Sequence, residues 1–293
     1  MARGFDHIVH SVRNLDAAAA FYRHLGFQVS GRNRHPPDWG TQNHVVQLAG
    51  AYIELLGIAD ASAMAPHSPG HFSFGAFNRD FLARGQGLSM LVLEGKGARD
   101  SEAFRSAGIG DFTPYELRRQ AKRPDGTTVK LAFTLAFARD PRAPEIGFFT
   151  NRHHYPENFW NPAFQVHENT ATGVAGVVIV AQEPHDHIQF LSAFADAPST
   201  QTASGLLITT PSGEIEVMTP ADFLRRFGVV APDTARGAHL AALRFAVAQP
   251  SRLQALPELA GLGGLYVGNA AVIGTEDAMG AVLIFEAATR KAR

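Results

Sequence analysis

Apolar and polar residues alternate through Phe5–Val12 (FDHIVHSV), the two-residue period of a β-strand with one buried face. The period then lengthens. In DAAAAFYRHLG the apolar positions Ala17, Ala20, Phe21 and Leu25 fall on one side of a helix. Asn14 or Asp16 can cap its start, and Gly26 stops it as a left-handed C-cap does. FQVSG reads as a second strand, NRHPPDWG as a loop, and NHVVQLAG and AYIELLGI as two more strands. The predicted order is β-α-β-β-β within the first 58 residues.

The same order returns three times. From Gly87 the chain reads GLSMLVLEG as a strand and ARDSEAFRSAGI as a helix ending at Gly108. YELRRQAKRPDGTTVKLAFTLAFA follows as a hairpin turning at Pro124-Asp125-Gly126, then EIGFFTN as a strand. A third pass starts near Gly173, with a helix around HIQFLSAFADA. A fourth starts at His239, with a short helix over PSRLQALPELAG and strands in GGLYVGNAAVI and AVLIFEAA. YRHLGF matches FRSAGI, and YIELLGI matches EIEVMTP. A unit of this kind leaves one face of a short curved sheet uncovered, so two must pair to close a core. The prediction is an α+β fold of four βαβββ modules paired into two cupped mixed-sheet domains, over residues 1–165 and 166–293. The polar stretch NPAFQVHEN marks the boundary.

Composition narrows the function. With 26 basic against 27 acidic side chains, the chain carries no electrostatic footprint for nucleic acid or an anionic membrane. The absence of cysteine removes disulfides, thiol nucleophiles and zinc–thiolate sites. The start, MARGFDHIVHSV, is too polar for a secretory signal, and every apolar run falls short of the ~18 residues of a membrane span. The expectation is a cytoplasmic globule. No Walker A loop or GxSxG elbow occurs, and GLGGLYVG lacks dinucleotide-binding spacing.

DHIVH and YIELL carry the sharpest chemical signal. The first and last strands of module one lie side by side in a sheet that curls into a cup. His7 and Glu54 can therefore point into one cavity. Imidazole with carboxylate suits a divalent metal with open positions, such as Fe, Mn, Zn or Ni. A carboxylate flanked by Ile53, Leu55 and Leu56 costs several kcal/mol to bury without a partner, so a cation or an arginine must answer it. A histidine satisfied within a strand is the plainer alternative for His7.

These residues resemble the vicinal oxygen chelate superfamily of glyoxalase I, bleomycin-resistance proteins and extradiol dioxygenases, and more closely its glyoxalase-like domain branch. The resemblance lies in DHIVHSVRNLDAAAAFYRHLGF, GTQNHVVQLAGAYIELLGI, PDG and FFTNRHHYPENFWNPAFQVHEN. It covers the first two modules well and the last two mainly by pattern. It implies that His7 and Glu54 are metal ligands. The superfamily's fullest sites add two ligands from the paired module, where this chain offers Ser89 or Met90 and the Phe148–Phe149 stretch. None of these suits a hard metal. The last two modules place Gly176 and Ala242 at the position of His7, so the second cup reads as structural or dimerising despite Glu216 and Glu286.

A third ligand could come from His153 or His154, next to the mouth of the first cup, and both are candidate catalytic groups. Trp39, Asn43, Phe148, Phe149, Trp160 and Arg118 or Arg119 are expected to shape the pocket. Core packing and solvated faces are the plainer alternatives for these. Three functions compete: a metal-dependent lyase, isomerase or dioxygenase acting on vicinal oxygens of a small substrate, a metal-free protein sequestering a small molecule, and a structural paralogue whose site has decayed, to which Ser89 or Met90 at a ligand position gives weight. In each case a homodimer is expected.

Overall fold

The structure, a computed structural model, describes residues 1–123, 125–249, 251–252 and 265–288. Its first part runs β1 (Phe5–Ser11), α1 (Leu15–His24), β2 (Asn33–Arg34), β3 (Thr41–Leu48), β4 (Ala51–Ile58), α2 (Phe74–Arg84), β5 (Gly87–Glu94), α3 (Ala98–Ser106), β6 (Tyr115–Lys122), β7 (Thr128–Ala138) and β8 (Gly147–His153). Then come α4 (Pro156–Phe159), β9 (Ala171–Val180), α5 (Ile188–Ala195), β10 (Thr200–Thr202), β11 (Gly205–Thr209), β12 (Glu214–Met218), α6 (Pro220–Phe227), β13 (His239–Val247), β14 (Leu265–Val267), β15 (Ala270–Ile273) and β16 (Val282–Ala287).

Two mixed eight-stranded sheets result, as the repeated pattern predicts. Their orders are β2-β3-β4-β1-β5-β8-β7-β6 and β10-β11-β12-β9-β13-β16-β15-β14. In each, the first strand of a module lies parallel to that module's last strand and antiparallel to the first strand of the next module. The sheets pack back to back. One apolar core holds Ile8, Leu91 and Phe148 of the first together with Val177, Leu243 and Phe285 of the second. Phe148 meets Phe190 and Phe194 at 4.7 and 5.3 Å between ring centres. Alternation sends neighbouring residues to the opposite faces, and these line two outward cups. The first cup contains Val9, Met90, Val92, Phe133 and Phe149, the second Val178, Met218, Ala242 and Ile284.

Three features depart from the sequence reading. FQVSG is not a strand; only Asn33–Arg34 pairs with β3. Phe27 instead packs on Phe245 at 5.0 Å, and the Gln28 amide donates to His167 at 3.0 Å, so this segment is tied to the other half of the molecule. Helix α2 was not predicted. Ser73 caps it through the Ala76 amide, and it buries Phe74 and Phe81 while leaving a weakly patterned outer face. Helix α6 was also missed; Thr219 caps it, and Pro220 starts it with the dihedral a first turn needs. The helix expected over PSRLQALPELAG falls almost wholly outside the described residues. Among the described residues no helix is long and apolar enough to cross a membrane.

His10, fully buried in β1, joins the two halves. Its Nε2–H donates to the Met279 carbonyl at 3.2 Å, which leaves Nδ1 to accept from the Tyr22 hydroxyl at 3.0 Å. Burial pushes its pKa down from 6.5 to about 4, against a smaller opposite pull from the Met279 carbonyl. The unfolded chain therefore takes up this proton first as pH falls, so stability declines from about pH 6.5 and is lost progressively toward about pH 4. The contribution is on the order of 3 kcal/mol. Urea titrations at about pH 7 and pH 4.5 should show this loss in the native chain and a flatter profile in His10→Gln. Equal slopes in both proteins would assign the acid sensitivity elsewhere.

Candidate active site

The first cup opens beside β1 and β4. Register places Val9 opposite Glu54 and His7 opposite Tyr52, so His7, Tyr52 and Glu54 share the inner face. His7 stacks on Tyr52 at 4.3 Å and meets the edge of Phe149 at 5.4 Å. Its Nε2 lies 3.7 Å from Glu54 Oε2. Both side chains are buried, with 3% and 5% exposure.

A register shift between Phe5 and His7 leaves Asp6 as an extra residue in β1. This bulge lets Asp6 turn to the same side as His7 instead of the opposite one. Asp6 Oδ1 accepts from His7 Nδ1 at 2.5 Å and from Asn151 Nδ2 at 3.0 Å, and Oδ2 pairs with His153 Nε2 at 2.9 Å. Burial would raise the Asp6 pKa, but His153 and then His7 outweigh it and hold the carboxyl well below its usual range. With Asp6 on Nδ1, the His7 ring presents Nε2 to the cup.

His35, from the loop between β2 and the short helical turn Pro37–Trp39, is a residue that sequence reading passes over, as it does Asp6. Thr41 holds its Nδ1 at 2.8 Å, and its Nε2 stands 3.3 Å from Glu54 Oε1. Asn43 Nδ2 donates to Glu54 Oε1 at 2.5 Å and lies 3.1 Å from His35 Nε2. Burial raises the Glu54 pKa, but His35, His7 and Asn43 together draw it below the ordinary value, so the buried carboxyl is an anion at neutral pH. Two imidazole nitrogens thus face one carboxylate from either side. In tautomers that leave both nitrogens unprotonated, lone pairs face the carboxylate, and a proton or a cation between them relieves the repulsion. Among the described residues, no group of three or more His, Asp or Glu side chains is placed to hold a metal ion as the side chains stand.

The walls are aromatic. Trp39, Phe74, Phe133, Phe149, Phe159 and Arg119 line a cavity of about 60 Å³. Trp39 stacks on Phe74 of α2 at 4.3 Å. Buried Asn43 Oδ1, Asn151 Oδ1 and His153 Nδ1 have no hydrogen-bond partner among the described residues. Among the other sequence candidates, Trp39, Asn43 and Phe149 line the cup. Trp160 stacks on His153 at 5.7 Å beside the mouth. His153 touches Asp6 rather than Glu54. His154 turns the other way, toward Thr134 and Glu116 on the outer face. Phe148 does not belong to the pocket, because alternation along β8 sends it into the core between the sheets. Arg118 likewise points outward, and its neighbour Arg119 takes the inner side. Met90 and Phe149 hold the positions that would complete a four-ligand site, while Ser89 is bound up with Ser11 and Asn78.

The second cup answers its buried carboxylate, Glu216, with two arginines, Arg244 and Arg226. Arg244, 7% exposed, pairs with Glu214 at 3.0 Å, with Glu286 at 2.7 Å, and with Glu216. Glu216 occupies the register position of Glu54, with Gly176 in place of His7. Ile284, not Glu286, stands at that register position in the fourth module, where Ala242 replaces the histidine.

Two curled sheets of paired βαβββ modules, with one histidine–carboxylate cup, define a member of the vicinal oxygen chelate superfamily. Residues 5–194 match the family described as "Glyoxalase-like domain", and the chain belongs to that family. No protein of curated function matches it. Among solved structures, a hypothetical protein from Staphylococcus aureus aligns over 97% of this chain and 99% of its own, at 13% identity and TM-score 0.68. A variant of 4-hydroxymandelate synthase from Streptomyces coelicolor aligns over 99% and 94%, at 11% identity and TM-score 0.58. Both likenesses concern the fold.

Arg244→Met takes from Glu216 one of its two arginine partners and from half-buried Glu286 its guanidinium, and should destabilise the protein by about 2 kcal/mol in urea unfolding. Adding Glu216→Met should recover a good part of that loss. A single variant as stable as the native chain would show that the second cup does not depend on this network.

Proposed function

We propose that the chain is a metal-dependent enzyme acting on a small organic substrate with two neighbouring oxygens, and that the first cup is its site. The observation that carries this is the buried, ionised Glu54 with the Nε2 atoms of His7 and His35 directed at its two oxygens. His7, Glu54 and His35 would hold the ion, and a divalent cation there supplies a Lewis acid for negative charge developing on the substrate oxygens. His35 is preferred to His153 as the third donor because His153 spends its Nε2 on Asp6. Asp6 and Thr41 fix the two rings with Nε2 inward. The aromatic walls exclude water and offer flat faces to a planar or apolar substrate body. In this reading residues 1–165 carry the chemistry and residues 166–293, whose cup is filled by Arg244, support it.

A second reading is favoured by Met90 and Phe149: a metal-free protein that sequesters a small aromatic compound in the same cup. Metal content separates the two. Protein purified without chelator and dialysed against Mn, Fe, Zn or Ni should retain about one equivalent. His7→Ala, His35→Ala and Glu54→Gln should lose it, and His153→Ala should bind about tenfold more weakly, as expected of a residue acting through Asp6. Native protein that retains no ion from any of the four would replace the enzyme with the sequestering protein.

A further inference from the structure

Of the described arginines, only Arg3, Arg119 and Arg244 are not exposed. Arg3 pairs with Asp100 at 2.8 Å, and Arg244 has its three glutamates. Arg119 has no carboxylate partner among the described residues, although it lines the same cup as His7 and Glu54. Tyr115, Leu117 and Arg119 share the inner side of edge strand β6, which brings the guanidinium in from the wall opposite β4. Glu54 does not neutralise it directly, being occupied by Asn43 and the two histidines. Burial lowers the Arg119 pKa, and only the fields of Tyr52 and Glu54 oppose this. A guanidinium that is partly stripped of water and left without a counter-ion is poised for a planar anion from outside, which it can grip through two parallel N–H···O bonds.

We propose that Arg119 is the carboxylate anchor of the first cup and that the natural ligand is a small monocarboxylic acid with a flat or apolar body. The body lies among Phe133, Phe159 and Trp39, the acid group sits on Arg119, and any second oxygen faces His7 and His35. Glu54 disfavours a second anionic group at the floor, so a dicarboxylate is selected against. The inference rests on the first cup being the ligand site, as in the proposed function, but not on a cation being bound there.

Fluorine NMR titrations with 4-fluorobenzoate and its neutral isostere 4-fluorobenzamide test it on the whole chain. The acid should bind at least about tenfold more tightly than the amide, the ratio expected for a charge-assisted pair. Arg119→Gln should remove that preference while leaving amide affinity unchanged. Lys122→Gln, on the outer side of the same strand, should alter neither. Equal affinities in the native protein, a preference that survives Arg119→Gln, or no saturable shift of either probe at millimolar concentration would each overturn the proposal. Metal retention is read separately. Loss of the cation reading with the acid preference intact leaves Arg119 as an anchor, whereas a retained cation with no acid preference removes the anchor alone.

Discussion

A carboxylate buried on the inner face of a curled sheet must be neutralised locally, and both halves of the molecule face this constraint at the same register position. The solutions diverge. In the second half Arg244 and Arg226 both pair with Glu216, and Arg244 also reaches Glu214 and Glu286, so the buried carboxylate is answered by covalently attached groups. In the first half Glu54 is met by imidazoles and an amide, which carry no permanent charge. Its neutralisation therefore stays adjustable, by a proton or by an ion from solution. The two cups thus differ in whether the counter-charge to the buried carboxylate is permanent.

Much of the fold was legible because the modules obey simple periods. Two-residue alternation fixed the strands, and the recurrent helix-stop glycines gave the repeat. The segments that escaped were those whose structure is decided by distant partners. Phe27–Gly31 has strand-like composition, yet Phe27 is drawn into the core between the halves and the backbone follows it. Helix α2 has too mixed a face to declare itself, and only its packing on Trp39 explains it.

The site was legible in part for the same reason. His7 and Glu54 lie on regular strands, so parity and pairing put them together. His35 lies in a Pro-rich loop, where no period predicts direction. Its inward turn follows from Thr41 and Asn43, residues on the next strand. Asp6 was hidden by a bulge: strict alternation would send it away from His7, and a bulge leaves no mark in the residue pattern. Alternation also separates the arginine pair and the Phe148–Phe149 pair, and which member faces inward depends on a register that only the completed sheet defines.

Pseudo-symmetry explains why the site is one-sided. The β1–β5 pairing sets His7 opposite Val92 and Val9 opposite Met90, so an equivalent histidine on the second module would stand at Met90 and an equivalent carboxylate at Phe149. Both positions are apolar and fully buried. The second module thus contributes the wall rather than donors: Phe133 and Leu135 of β7, Leu117 and Arg119 of β6. A floor of ionisable groups from one module and an apolar wall from the other give any bound molecule a direction. In the proposed reading its polar atoms would face His7, His35 and Glu54 and its carbon skeleton β6 and β7, where Arg119 is the charged side chain on the inner side among the described residues.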